Sequence, residues 1–80
     1  MPSSIVVNNN SSVDICFVWI APAGMPFVEQ LNGAVLSPSA GTVVRHPNQG
    51  PYDLEVLSCD QNSFWSNYNQ FGDLTWELTD

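Results

Sequence analysis

Clusters of turn-forming residues cut this chain into short pieces, and that punctuation is the strongest limit on its fold. "NNNSS" (8–12), "APAGMPF" (21–27), "SPSAG" (37–41), "PNQGP" (47–51) and "DQNS" (60–63) gather Asn, Ser, Gly and Pro. Each residue type favours a turn for its own reason: Pro fixes φ, Gly reaches positive φ, and Asn and Ser bond their own backbone. The pieces between recur about every 8–12 residues and alternate apolar with polar, the pattern of half-buried strands.

Residues 4–8, 13–20, 42–46, 52–58 and 73–79 read as strands. In the second, Ile15, Phe17 and Trp19 fall on one side, and Asp14, Cys16, Val18 and Ile20 on the other. Its β-branched and aromatic content fits a pleated sheet. With "NNNSS" between them, the first two pieces read as an antiparallel hairpin. Residues 42–46 and 52–58 read as a second hairpin closed by "PNQGP". That register puts His46 opposite Tyr52, Arg45 opposite Asp53, Val44 opposite Leu54 and Val43 opposite Glu55. A cross-strand Arg–Asp pair contributes roughly 0.2–1 kcal/mol. Val44, Leu54 and Val56 share the inner face; Glu55, Leu57 and Cys59 share the outer one. Residues 28–36 fit either a short helical turn or a weak edge strand. In 73–79, Leu74, Trp76 and Leu78 lie on one side. The expected core includes Phe17, Leu54, Val56 and Trp76.

The stretch "GPYDLEVLSCDQNSFW" starts as an alternating strand and breaks after Cys59. Beyond it, Phe64, Tyr68 and Phe71 stand at i, i+4 and i+7, so one short helix near 63–71 is an option. Asn62 or Ser63 would cap it and Gly72 would end it. The whole reads as all-β: a single domain over 1–80, a small antiparallel β-sandwich, immunoglobulin-like or related, with about five or six short strands.

A chain of 80 residues buries only about 60–65% of its unfolded surface, so its core is marginal. Domains of this size gain from a disulfide, a metal or a partner subunit. Cys16 and Cys59 both fall on strands, both on outward sides, and a bridge between them is expected; two half-buried thiols are the alternative. Closing that loop would stabilise by roughly 4 kcal/mol. Two Cys and one His, with no close spacing, make a poor transition-metal site.

Charge narrows the functions. There are eight acidic residues and one cation, Arg45. Nucleic-acid binding requires a basic face that displaces counterions, which this chain cannot build. Its longest apolar run, 15–23, is far below the roughly 18 residues of a membrane span. "MPSSIVVNNN" has neither the basic start nor the apolar stretch of a signal peptide. Polar surface comes from Asn, Gln, Ser and Thr, a composition expected of extracellular or virion-surface proteins.

Here the residues resemble a family. Small bacterial β-sandwich domains of unassigned function share an "I-C-aromatic-V" strand ending in a small residue and Pro. A loop with an acidic residue and "L-x-G" follows, then a Pro-Gly turn, then "Y-D-L-x-V-x-x-C-D". This chain has Ile15-Cys16-Phe17-Val18, Ala21-Pro22, Glu29, Leu31-Asn32-Gly33, Tyr52-Asp53-Leu54-Glu55-Val56 and Cys59-Asp60. It departs where the family has Trp-Gly and this chain has Met25-Pro26-Phe27, and where the Pro-Gly turn lengthens to Pro38-Ser39-Ala40-Gly41. The resemblance implies a β-sandwich and no active site.

Candidate chemistry is sparse. His46, the lone histidine, reads as a strand-end residue stacking on Tyr52 rather than as the base of a catalytic set. No catalytic or cofactor-binding residue stands out, and the expected function is non-enzymatic. Asp60, Asn62 and Asp73 flank an oxygen-rich loop and are weak calcium candidates, without the Gly and spaced acids of a loop motif. "NNNSS" holds two glycan-acceptor patterns, beginning at Asn9 and Asn10. Nine aromatics exceed what a small interior hides, so Trp65, Tyr68 and Phe71 are expected at a subunit contact; a lid of aromatics closing one end of the sandwich is the other reading. Repulsion from the net charge of −7 is screened beyond about 8–10 Å in physiological salt. The expectation is a structural or assembly subunit forming a homo-oligomer, in an extracellular filament or a virion surface. A small glycan- or ligand-binding module using 64–71, and a calcium-stabilised surface domain, are the alternatives.

Overall fold

In a computed structural model, which describes residues 2–80, the alternating pieces form seven strands and no helix. They are β1 (Ser3–Asn9), β2 (Ile15–Pro22), β3 (Val28–Glu29), β4 (Gly41–His46), β5 (Tyr52–Ser58), β6 (Phe64–Gln70) and β7 (Leu74–Leu78). A three-stranded sheet runs β4-β1-β7 and a four-stranded sheet runs β3-β2-β5-β6. Ile5, Val7, Val44 and Leu78 from the first meet Ile15, Val18, Ile20, Tyr52, Leu54 and Val56 from the second in one buried cluster. This is a small β-sandwich. Strict alternation of buried and half-buried residues along β1 and β5 is the sequence period made physical.

Both expected hairpins are corrected. β1 and β2 lie in different sheets, as do β4 and β5. β1 pairs instead with β4, antiparallel, and with β7, parallel. The physical reason is that alternation marks the buried face but is blind to the neighbour. Two strands with apolar faces are satisfied side by side or facing each other across a gap of about 10 Å. The links 10–14 and 47–51 arch across that gap. The Arg45–Asp53 pair is lost with the hairpin: Arg45 lies beside Ser4, and Asp53 Oδ1 accepts from the Asn69 amide at 2.9 Å. His46 and Tyr52 still meet, from opposite sheets, with ring centroids 5.2 Å apart.

The helix near 63–71 is also corrected, because the segment is β6 and pairs with β5. Phe64 and Tyr68 share a side in a strand as well as in a helix, so their spacing did not discriminate. The ambiguous 28–36 segment opens as the edge strand β3, two residues long. Glu29 organises the loop after this strand. Its carboxylate accepts from the amides of Val18, Gln30, Leu31 and Asn32 at 2.8–3.0 Å. Burial pushes the Glu29 carboxyl upward, but the donors from Leu31, Val18, Asn32 and Gln30 outweigh it and hold it below its ordinary value of 4.5.

Phe17 is corrected too. Ile15 pairs with Ser58 and Phe17 with Leu57, so β2 carries an extra residue, Cys16, at a bulge. The bulge keeps Ile15 inside, turns Phe17 and Trp19 outward and sends Val18 and Ile20 into the core. Leu54 and Val56 are fully buried as expected. Trp76 faces inward, half-buried against the core.

Candidate functional site

The outer face of the four-stranded sheet gathers most of the unspent chemistry. Register places Phe17, Leu57 and Phe64 in one row across β2, β5 and β6. The next row holds Trp19, Glu55 and Ser66. Residues directly opposite in a ladder share a face, so these side chains form one surface. Phe17 and Trp19 stack with centroids 5.3 Å apart and planes 5° from parallel. On the open edge, Phe64 is 54% exposed and Tyr68 48%.

A second bulge shapes that edge. Tyr52 pairs with Gln70 and Leu54 with Asn67, so β6 carries an extra residue opposite Asp53. Asn69 takes φ +57° there, and Asp53 accepts from its amide. Tyr68 reaches back to donate its hydroxyl to Glu55 Oε1 at 2.6 Å. That hydrogen bond, with the nearby negative charge, pushes the Tyr68 phenol up. Phe71, 67% exposed, follows the strand. The surface is therefore aromatic and acidic, with the Tyr68 hydroxyl and the Glu55 and Asp53 carboxylates hydrogen-bonded.

The expected contact residues separate. Tyr68 and Phe71 project outward, whereas Trp65 turns inward: it packs against the core and donates its indole N–H to the Thr79 carbonyl at 2.9 Å. Sequence reasoning missed Phe17 and Trp19 as surface residues. An all-apolar run, "ICFVWI", hides a bulge, because either side of it suits a core.

At the Cys59 end, Cys16 and Cys59 are joined by a disulfide, their Cα atoms 4.7 Å apart. The Asp60 carboxylate accepts from the Ser58 hydroxyl and the Asn62 amide, and Ser58 Oγ accepts in turn from the Ser63 amide at 3.0 Å. The bonds from Ser58 and Asn62 hold the Asp60 carboxyl below its ordinary range. Asp73 accepts from the Ser4 amide at 2.9 Å and acts on Tyr52, which starts β5, whereas Ser58 ends it. A seven-residue strand spans roughly 20 Å. The calcium candidates Asp60, Asn62 and Asp73 are thus not brought together, and among the described residues no group of three or more His, Cys, Asp or Glu could hold a metal ion.

The two glycan-acceptor patterns also part. Asn9 is fully buried; its amide donates to the Val13 and Leu36 carbonyls at 2.8 Å, and its Oδ1 accepts from Ser11. Asn9 is a structural plug and Asn10 is exposed. No family model, curated protein or solved structure matches the chain.

Proposed function

We propose that the domain is a non-enzymatic assembly subunit that self-associates through the outer face of its four-stranded sheet and the β6 edge. One observation carries this reading: Phe17, Leu57 and Phe64 form a continuous apolar row that ends on an open edge strand, beside Trp19 and Tyr68. Soluble monomers rarely keep such a patch uncovered. The edge itself lacks the Lys and Pro that commonly blunt unpaired strands. Burying a ring stabilises by roughly 1.5–3 kcal/mol, enough for two or three rings to outweigh screened repulsion. A disulfide fits an oxidising setting, which supports an extracellular filament or a virion surface as the place of assembly.

Sedimentation or native mass measurement tests it. The parent chain should form homo-oligomers, and the Phe64→Ser/Tyr68→Ser variant should remain folded by circular dichroism while assembling less. A parent that stays monomeric at every concentration sinks the reading. If that monomer changes its spectrum on adding oligosaccharide, the same rings serve a glycan.

A further inference from the structure

On the opposite flank, β3 and β4 are the edges of the two sheets, and a cleft of about 220 Å³ opens beside them. We infer that this cleft binds a small organic carboxylate with an apolar body, such as a single ring. Ile20, Pro22 and Val28 supply apolar walls, and Arg45 and His46 supply the polar ones. An apolar cavity of about 150 Å³ accommodates benzene, so a ring fits.

Charge selects the head group. The chain has one cation against eight acids, and that cation lines this cleft with no carboxylate beside it. Arg45 makes no ion pair among the described residues. Two other clefts are walled by Asp80, or by Asp14 and Asp60, and suit no anion. A carboxylate accepting from the Arg45 guanidinium gives that cation a partner, while its apolar body lies against Pro22 and Val28 of the cleft wall. Planar pairing of guanidinium with carboxylate adds orientation to attraction. This site is independent of the assembly surface on the far edge.

The test titrates phenylacetate, 2-phenylethanol and 2-phenylethylamine into the full chain and follows NMR shifts. Phenylacetate should move the signals of Val28, Arg45 and His46. It should bind about tenfold tighter than the alcohol, and tighter still than the amine. Arg45→Gln alters an exposed side chain, so the fold is retained by circular dichroism; it should weaken phenylacetate about tenfold and leave the alcohol unchanged. Val28→Ser should weaken all three. The inference is overturned if phenylacetate fails to bind, binds elsewhere, or binds no tighter than the amine. It is also overturned if Arg45→Gln binds phenylacetate as the parent does.

Discussion

On the three-stranded sheet, β1 turns Ser4, Val6 and Asn8 outward, and its neighbours add Val43, Thr75 and Glu77. On the four-stranded sheet the corresponding positions hold Phe17, Trp19, Leu57, Phe64 and Tyr68. Inward, the two sheets are alike, each presenting Ile, Val and Leu to the common core. Leu57 and Phe64 face outward by plain alternation, and two bulges, at Cys16 and before Gln70, both in the four-stranded sheet, shape the rest. Bulges re-aim side chains. Here the first moves rings outward and the second sets Tyr68 over Glu55. Inner faces account for stability, and the outer faces set what each sheet presents to its surroundings.

Five variants sharpen that contrast. The largest effect is expected from the covalent tie within the four-stranded sheet. Replacing Cys16 and Cys59 with Ala should cost on the order of 4 kcal/mol, since the bridge spans 43 residues. Urea unfolding of the oxidised parent and the variant measures this, and intact mass without reductant should lie about 2 Da below the reduced value. A variant as stable as the parent would mean the bridge constrains nothing.

Leu54→Ala comes next, at about 2–5 kcal/mol, because Leu54 is fully buried. Its counterpart on an outer face, Val43→Ala, 56% exposed at the start, should change stability by no more than about 0.5 kcal/mol. Similar costs at both positions would abolish the distinction between faces.

Glu29→Gln is a smaller, acid-dependent effect. The Glu29 carboxyl sits below its ordinary 4.5 in the folded chain, so its ionised form favours the fold. That stabilisation is present above about pH 4.5 and drains away as pH falls through the lowered folded value. The parent should therefore exceed the variant near neutral pH, and the gap should close in acid. A gap independent of pH would show that the charge on Glu29 does not hold its loop. The smallest change in stability, within about 0.5 kcal/mol, is expected from Phe64→Ser, whose ring stands outside the core.

Much of this fold was legible in the residues, for reasons of period. The inner sets Val44, Leu54, Val56 and Leu74, Trp76, Leu78 follow from alternation alone, and the Cys16–Cys59 pair from size and composition. Partnership was not legible. β1 meets β7 from the far end of the chain, and no local pattern encodes so distant a neighbour. Nor does a period announce its own interruption: Cys16 breaks it inside a run apolar on both sides. On the candidate surface, Tyr68 and Phe71 stand exposed, whereas Trp65 packs against the core, because alternation along β6 sets it on the inner side, an orientation that helical spacing does not give.

The parallel pairing of β1 with β7 has a mechanical consequence. The start of β1 and the end of β7 lie at opposite poles, so tension applied at both loads their shared ladder in shear, with all its hydrogen bonds resisting together rather than opening one by one. Once that ladder yields, force reaches Cys16 and passes through sulfur to Cys59. The 43 residues of separation between them stay unextended, shortening the stretched chain by roughly 150 Å, a length that single-molecule pulling regains when a reductant is added.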